Sequence, residues 1–362
     1  MKVTFVINEP IRRASGGYKV VYEYANAFDN IGSKVQIVYR CKKDVLFSNY
    51  DIPWIIKMLL AKITAYKGPN WFNLNRTIKR KVVRDINDNT INNADVVIAT
   101  AVDTAEKVNK LSESKGKKIY LIQGYETWVY PEEKVHETYS YDMTNIVVAR
   151  WLKEKVDRYS NNNSICIPNG VNKDIYKVVN SIENRNRYSI SMMYHNLESK
   201  GSSDGLKVLV NLKKKYPHLK AYLFGIPSKP IDLPEWIDYT CCATQDEVVD
   251  IYNKSSIYLC TSWSEGFGLT GAEAMMCGCA LVSTETFGVK EYANKKTARL
   301  TLIRDVESLT KSCIDLMENN DARIQMSKLG QKQVTDLLNM ERAKNKFIEV
   351  VSSERDNNGK IS

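Results

Sequence analysis

The sequence lacks the cysteine spacing that zinc knuckles and thioredoxin-like redox sites require. Eight cysteines are present, but the closest pairs, Cys241–Cys242 and Cys277–Cys279, are not separated by two residues. Neither kind of site is therefore supported, and reduced thiols in a cytosolic protein are the expected state.

Long apolar segments are also absent. The longest clearly apolar run, Trp54 to Leu60, is interrupted by Lys57 and falls far below the ~20 residues that a membrane-spanning helix needs. The amino-terminal MKVTFVINEP has no basic region, apolar core or small-residue cleavage site, so secretion by that route is not expected. We expect a cytoplasmic protein.

Composition is otherwise that of a soluble globular protein, with 43% hydrophobic and 26% charged residues. A chain of 362 residues is too long for one ordinary core, which favours two domains. The net charge of +10 is uneven, because residues 1–168 contain 26 basic against 18 acidic residues, a balance of +8. The first half is therefore expected to face something anionic.

Short β-branched and aliphatic runs alternate with helix-length stretches, a pattern typical of parallel sheets with crossover helices. In SICIPNGVNKDIY a short predicted strand is followed by proline and glycine, which mark a hinge near residue 168. We predict two doubly wound α/β domains, 1–168 and 169–351, with the last helix able to pack back on the first domain and a frayed tail at 352–362. The predicted strands are Val3–Ile7, Val35–Tyr39, Val96–Ala99, Ile119–Ile122, Ile146–Ala149, Ile190–Met193, Ala221–Phe224, Ile257–Cys260 and Ala280–Ser283.

The stretch CTSWSEGFGLTGAEAMMCGCALVST, residues 260–284, combines a strand, a glycine-rich loop and a helix. Gly266 and Gly268 let the main chain approach a ligand closely, and Thr270 is predicted to cap a helix that stops at Gly278. A helix amino terminus behind such a loop is a seat for phosphate. The stretch therefore predicts a phosphate-binding site.

Two glutamates flank this loop. Glu273, about one turn inside the helix, is placed to accept hydrogen bonds from a ribose diol, and Glu265 to meet the other end of the same ligand. Ribose, diphosphate and polyol together describe a nucleotide sugar. The alternative is structural: Glu273 would complement the helix dipole and the glycines would only make a turn.

The longer pattern YNKSSIYLCTSWSEGFGLTGAEAMMCGCALVST resembles the donor-site signature of the retaining glycosyltransferases of family four. The resemblance continues in SGGYKVVYEYANAF, NIVVARWLKEKV, SICIPNGVNKDIY and MMYHNLESKGSSDGL. It implies the GT-B fold, in which two Rossmann-like domains face each other across a cleft. It also implies an enzyme that transfers a hexose-type sugar with retention of anomeric configuration.

The resemblance assigns roles in the second half. Glu273 would hold the ribose and Glu265 would lie against the donor sugar. Lys200, in ESKG, matches the diphosphate-binding lysine, while His195 stands where commoner members carry arginine and would be only partly charged near its ordinary pKa. A surface lysine and a strand-end histidine bonded to the backbone are the structural alternatives. Further donor contacts are implied for the backbone at Gly266, Phe267, Gly268 and Leu269 and for Thr270, with the base near Cys242 to Thr244.

In the first half, Gly16 and Gly17 precede a predicted helix and match a glycine turn that lies close to the donor. A tight turn before an amphipathic helix is the alternative. Many relatives have a histidine where this chain reads LIQGYETW. Gln123, Tyr125 or Glu126 would take over its contact with the sugar, unless the position is merely structural.

No Asp-x-Asp occurs, so the metal-dependent diphosphate site of the other main glycosyltransferase fold is missing. No metal and no cofactor beyond the nucleotide-sugar substrate are expected. Charge on the leaving diphosphate would be met by Lys200, the helix amino terminus and His195.

Residues 53–84 mix tryptophans and aliphatics with eight basic residues. This mixture suits an anionic membrane surface, with a lipid-linked saccharide as acceptor at the cytoplasmic face. A solvated helix over the core is the alternative, because Lys57, Lys62 and Lys67 do not share one helical face.

The leading hypothesis is a glycosyltransferase acting on a saccharide or lipid-linked saccharide in cell-surface glycan synthesis. A non-catalytic GT-B partner protein and a sugar-nucleotide epimerase of similar fold are the alternatives. Nucleic acid is not an expected partner, because the basic region lacks a recognisable binding module.

Overall fold

The structure is a computed structural model that describes residues 1–43 and 52–356. It divides into two compact units, Met1–Pro168 with Arg342–Ser362 and Asn169–Glu341. The chain thus leaves the first unit at Pro168 and returns to it for its last helix. The tail predicted to fray from residue 352 is helical as far as Asp356, and residues 357–362 lie outside the described part.

Each unit contains one parallel sheet. Across the described residues the first unit has seven strands: β1 Lys2–Asn8, β2 Lys34–Arg40, β3 Lys79–Val83, β4 Val96–Ala99, β5 Lys117–Ile122, β6 Thr144–Val147 and β7 Ile165–Cys166. The second unit has six: β8 Ser189–Tyr194, β9 Lys220–Gly225, β10 Ile237–Cys241, β11 Ile257–Cys260, β12 Ala280–Thr284 and β13 Ala298–Thr301. Their spatial orders are β3-β2-β1-β4-β5-β6-β7 and β10-β9-β8-β11-β12-β13.

Helices make most of the crossovers between successive parallel strands. Their bounds are α1 Gly16–Asn30, α2 Trp54–Lys67, α3 Val102–Asn109, α4 Glu132–Tyr139, α5 Arg150–Val156, α6 Ser202–Lys215, α7 Gln245–Lys254, α8 Leu269–Met276, α9 Val306–Glu318, α10 Asn320–Leu337 and α11 Met340–Asp356. No helix among residues 1–43 and 52–356 has the length and apolarity to cross a bilayer.

Helix α1 shows how the pattern becomes packing. Four apolar residues of its sequence, Val20, Val21, Tyr24 and Phe28, are all buried. The ring of Tyr24 stacks on Phe347 of α11, with centroids 3.9 Å apart. Burying aromatic and aliphatic side chains of this size contributes about 1.5–3 kcal/mol each, which accounts for the return of the last helix to the first unit.

The core of the second unit lies between its sheet and the helices on one face. It joins strand residues of β8, β11 and β12 to α6 and α9, and its members include Ile190, Val208, Leu212, Leu259, Val282 and Leu316. These strands are buried on both faces, as continuous apolar runs in parallel sheets are.

Three strands were not predicted, and one was displaced. Their sequences lack the apolar runs that predict a strand. β3 reads KRKVV, β10 reads IDYTC and β13 reads ARLT, which is only half apolar. All three lie at sheet edges, where full burial is not required. The strand predicted at Ile146–Ala149 ends at Val147, because the chain turns there into α5.

Candidate functional site

Strand order defines a topological switch point in the second unit. From β8 the chain moves outward through β9 to β10, then crosses back to place β11 on the other side of β8. The loops that leave β8 and β11 therefore diverge at the carboxyl edge of the sheet. In open α/β sheets, ligands bind in the crevice at such a point.

These two loops are bonded to each other. The main-chain N–H of Trp263 donates to the carbonyl of Ser199 at 2.7 Å, and the Thr261 hydroxyl donates to the carbonyl of Gly201 at 2.7 Å. Gly201 has φ +63°, and a Cβ there would lie 1.9 Å from the main-chain carbonyl oxygen of Thr261. Only glycine fits this crossing.

An ion pair completes the junction. Lys200 Nζ lies 2.9 Å from Glu265 Oε1, and the Ser262 hydroxyl donates to the same oxygen at 2.7 Å. The side chains are 24% and 10% exposed, so both charges are partly withdrawn from water. The pair places a cation beside a carboxylate at the switch point, where an anionic leaving group would find its counter-charge preorganised.

Helix α8 begins at the far end of the loop. Its cap is Gly268, with φ +82°, whose carbonyl accepts from the buried Tyr292 hydroxyl at 2.7 Å. The prediction that Thr270 is the cap is therefore wrong: Leu269 is the first helical residue and Thr270 the second. The stop near Gly278 is as predicted, since Cys277 caps the helix and Gly278 has φ +86°.

Phe267 does not face solvent. Its ring is buried 5.7 Å from the ring of Tyr292, so its side chain anchors the loop. Gly266 precedes it as the residue after Glu265. The backbone of the turn, rather than its side chains, is what a ligand could use.

Glu273 is 6% exposed and sits one turn inside α8. Burial raises the pKa of Tyr258 and of Tyr292 well above the ordinary value, and the charges of Glu265 and Glu273 add to this for both phenols. The two glutamates therefore act on the same pair of buried tyrosines. Sequence reasoning placed both at one ligand, and the structure brings both to one end of the sheet.

His195 directly follows β8. Its Nδ1 accepts the main-chain N–H of Leu197 at 2.9 Å, which leaves Nε2 as the protonated nitrogen. Burial lowers the pKa of the imidazole, the charge of Lys200 lowers it further, and Glu265 opposes this. His195 is thus a neutral donor bonded to the backbone, so the two interpretations offered for it are compatible.

A second switch point lies in the first unit, between β1 and β4. The buried carboxylate of Asp103, in the first turn of α3, forms ion pairs with basic side chains there. Arg40 Nη1 lies 3.1 Å from its carboxylate, Lys42 pairs with the same oxygen, and Asn8 donates to the other at 3.5 Å. Sequence reasoning missed this cluster, because only the strand order shows that the ends of β1, β2 and β4 meet.

The site residues predicted in the first unit do not share one set of contacts. Gly16 opens α1, and a Cβ on Gly17 would lie 3.6 Å from the Gln123 amide, an ordinary contact. The hydroxyl of Tyr125 bonds to Glu132 and, at 2.6 Å, to His136 Nε2, so it is tied to α4.

Glu126 turns instead towards α3, accepting the N–H of Val102 at 3.1 Å. Burial raises the pKa of this carboxyl to about 7, and the charge of Asp103 contributes. Glu126 therefore belongs to the cluster around Asp103, whereas Tyr125 does not.

Among residues 1–43 and 52–356, no group of three or more histidine, cysteine, aspartate or glutamate side chains is arranged to hold a metal ion.

The Trp263 side chain is held on both sides. Its indole N–H donates to the Asp204 carboxylate at 2.9 Å, and the guanidinium of Arg304 lies 3.8 Å from the centroid of the indole ring. These contacts, which the sequence did not indicate, fix the loop after β11.

Two parallel-sheet α/β units, each with a topological switch point, define the class of doubly wound proteins. Residues 174–333, within the second unit, match the family of glycosyl transferases group 1, in agreement with the predicted family. An uncharacterized glycosyltransferase of Methanocaldococcus jannaschii is 24% identical over 209 residues, or 54% of this chain. The chain spans 56% of the length of that relative.

Solved structures are similar along nearly the whole chain. Sucrose-phosphate synthase from Thermosynechococcus elongatus has a TM-score of 0.72 at 13% identity, covering 97% of this chain and 98% of that one. Anabaena HepE in complex with UDP-glucose has a TM-score of 0.72 at 12% identity, covering 98% and 100%. The predicted GT-B fold is confirmed.

Proposed function

We propose that the protein moves a hexose-type sugar from a nucleotide-sugar donor to a saccharide or lipid-linked saccharide, with retention of configuration and without a metal. The observation that carries the proposal is the Lys200–Glu265 ion pair at the switch point, 2.9 Å long and followed by the start of α8. HepE, which is similar in fold, was solved with UDP-glucose. Cell-surface glycan synthesis in the cytoplasm is the proposed setting.

The site supports a division of labour along the ligand. Glu273 would accept the ribose hydroxyls, and the diphosphate would lie over the amino terminus of α8, near Thr270, with Lys200 and the neutral N–H of His195 as further donors. The backbone from Gly266 to Leu269, with Glu265, would hold the sugar. Each group meets the part of the donor whose charge or hydroxyls it complements.

The proposed chemistry requires no protein nucleophile. The acceptor hydroxyl attacks the anomeric carbon from the face that the diphosphate leaves. The carbon–phosphate oxygen bond breaks as the new glycosidic bond forms, and the departing phosphate oxygen takes the acceptor's proton. Lys200 would stabilise the negative charge that develops on that oxygen.

A panel of uridine, thymidine, guanosine and adenosine diphosphate sugars tests the donor site by thermal shift. A ligand at 100 times its Kd adds about 2.7 kcal/mol to stability. One nucleotide class should stabilise the wild type, Glu273→Ala should lose most of that effect, and Glu307→Ala, an exposed glutamate in the first turn of α9, should keep it. If no nucleotide stabilises the folded wild type, the non-catalytic partner becomes the better reading.

Turnover with the donor thus identified separates the enzymatic alternatives. A transferase consumes the donor fully only when an acceptor is present, and nuclear magnetic resonance of the product reports its anomeric configuration. An epimerase would convert the donor without any acceptor. An inverted product would contradict the proposed mechanism while leaving the donor site intact.

Helix α2 supports an anionic membrane surface as a further partner. Its outward face exposes large apolar side chains, with Ile55 78%, Leu59 57% and Tyr66 84% exposed, whereas Ala61 and Ala65 on the opposite face are buried. An ordinary solvated helix would present polar groups there. Exposed apolar residues interspersed with lysine are typical of helices that lie in a lipid interface.

The rest of the basic segment 53–84 is used differently. Residues 79–83 form edge strand β3, not a helix. Within it, Arg80 donates to the carbonyl of Tyr66 at 3.1 Å and Lys81 to that of Thr90 at 2.7 Å. The guanidinium of Arg84 lies 5.6 Å from the Trp54 ring. The proposed membrane contact is therefore confined to α2.

A further inference from the structure

Two adjacent cysteines end strand β10 in an unusual conformation. Cys241 and Cys242 are both exposed, and their sulfur atoms are 3.6 Å apart. Both sulfurs also approach one acceptor, the carbonyl oxygen of Ile226, at 3.7 and 3.5 Å. Five other cysteines are buried, so this pair is set apart by its exposure: Cys41, Cys260, Cys277, Cys279 and Cys313.

The backbone explains why the thiols meet. Successive side chains of a strand point to opposite faces, which would separate neighbouring cysteines. Cys242 instead has φ +53°, in the left-handed region that residues with a Cβ rarely enter. Its N–H donates to the carbonyl of Gly225 at 2.7 Å, which holds the turn in place. The left-handed turn thus aims both thiols at the same side.

The pair lies on the ligand-binding edge of the sheet. Tyr194 pairs in register with Gly225, and Gly225 with Cys241, so these residues form one row across β8, β9 and β10. Two strand spacings separate the ends of the row, about 10 Å. His195 directly follows Tyr194. A ligand bound at His195 that extends about 10 Å along the carboxyl edge of the sheet towards β10 therefore reaches the two thiols.

We propose that Cys241 and Cys242 form an oxidisable dithiol that closes to a disulfide between adjacent residues and thereby weakens nucleotide binding at this edge. The reacting partner is a peroxide. One thiolate attacks the peroxide oxygen, giving a sulfenic acid and one water or alcohol, and the second thiol then displaces water from that sulfur. Two electrons pass from the thiols to the peroxide. The effect on nucleotide, though not the closure itself, rests on the proposed function.

Chain geometry makes this disulfide reversible. Adjacent Cα atoms are held about 3.8 Å apart by a trans peptide, whereas ordinary disulfides join Cα atoms roughly 4.4–6.8 Å apart. A bond between neighbours is therefore strained, and strained, exposed disulfides are the readily reduced ones. Thiols of the cytosol would reopen it.

Oxidation of the full chain with hydrogen peroxide, followed by peptide mass mapping, tests the closure. The peptide with both cysteines should lose two hydrogens and regain them with dithiothreitol. Phenylarsine oxide, which bridges two thiols, should bind the reduced protein one to one. It should fail to bind Cys241→Ser or Cys242→Gly but still bind Cys166→Ser, a variant of the half-buried cysteine at the end of β7. Glycine suits the positive φ at residue 242, so that variant keeps the turn.

Sulfinic acids in place of the disulfide, or arsenical uptake that survives both single substitutions, would overturn the proposal. The nucleotide effect is measured separately, as the affinity of the stabilising diphosphate sugar before and after oxidation. We expect the wild type to bind the diphosphate sugar roughly tenfold more weakly after oxidation than before it. Cys242→Gly should bind it equally well before and after the same treatment. Equal affinity of the two wild-type states would reject the coupling. Absence of binding by the reduced protein would instead count against the proposed function.

Discussion

Lys200 and Glu265, which are 65 positions apart in the chain, form a 2.9 Å ion pair that joins the loop after β8 to the loop after β11. Both loops leave the sheet where the strand order reverses. The glutamate is also fixed by Ser262, so its orientation is set before any ligand arrives. Preorganised charge of this kind costs no reorganisation when negative charge develops on a leaving group.

Replacing Lys200 with alanine should remove most of the turnover. Loss of one preorganised donor to a developing anion costs about 10²–10³ in kcat. Lys207→Ala is a matched control, because that lysine is 66% exposed and forms a longer ion pair, 3.6 Å, with Asp204. Steady-state rates with donor and acceptor give the result. Equal rates for Lys200→Ala and the control would remove Lys200 from the mechanism.

The crossing of the two loops makes Gly201 intolerant of a side chain. Gly201→Ala places a Cβ 1.9 Å from the Thr261 oxygen in a left-handed residue, and we expect a destabilisation of roughly 2–4 kcal/mol. Gly17→Ala is the counterpart, since its Cβ would meet the Gln123 amide at 3.6 Å inside a helix. Thermal unfolding should show a lower midpoint for the first variant and an unchanged or higher one for the second. Similar midpoints would contradict this account of the loop crossing.

Much of the second unit could be predicted because its signals are local. β11 is a run of four apolar residues, and Glu265 and Glu273 follow it at fixed spacing. The cap of α8 was misplaced because Thr270 is a good capping residue, but Gly268 alone accommodates φ +82° beneath the Tyr292 hydroxyl. Tertiary contact overrode local preference.

Non-local features could not be predicted in the same way. The cluster of Asp103, Arg40 and Lys42 depends on β1 lying between β2 and β4, an order that no short segment encodes. The edge strand β3 was hidden by its three basic residues, which protect an edge from pairing with other chains. The φ of Cys242 had no signal in the sequence at all.

Glu126 should make stability depend on pH. Its folded pKa of about 7 lies above the ordinary 4.5, so the fold favours the protonated form. This contribution is fully present below about pH 4.5 and is lost as the pH rises through about 7. Glu126→Gln removes the loss, so the melting temperature of the variant relative to the wild type should rise across that window, by roughly 2–4 °C per kcal/mol. A flat difference between Glu126→Gln and the wild type would show that the Glu126 carboxyl is already ionised in the fold across this window.

His195 should assist the phosphates as a neutral donor. Because burial and the charge of Lys200 lower the pKa of its imidazole below the ordinary value, the neutral form predominates at neutral pH. The ratio of nucleoside diphosphate affinities between wild type and His195→Ala should therefore be constant from pH 7 to 8, whatever the phosphate itself does. Calorimetric titration measures both affinities. A ratio that falls about tenfold over that unit would mean that the imidazolium is the binding form.

The exposed face of α2 should govern binding to anionic vesicles. Leu59→Asp places a charge in the middle of the apolar stripe and removes a side chain whose burial contributes about 1.5–3 kcal/mol, so binding to vesicles of three parts phosphatidylcholine to one part phosphatidylglycerol should weaken at least about tenfold. Ile231→Asp is the control, since Ile231 is 101% exposed and belongs to the second unit, whereas α2 belongs to the first. Added salt should weaken the wild type as well, because Lys62 and Lys67 on α2 are exposed. Equal sedimentation of both variants with the vesicles would remove the membrane from the list of proposed partners. It would not bear on the proposed donor site, whose residues lie in the second unit.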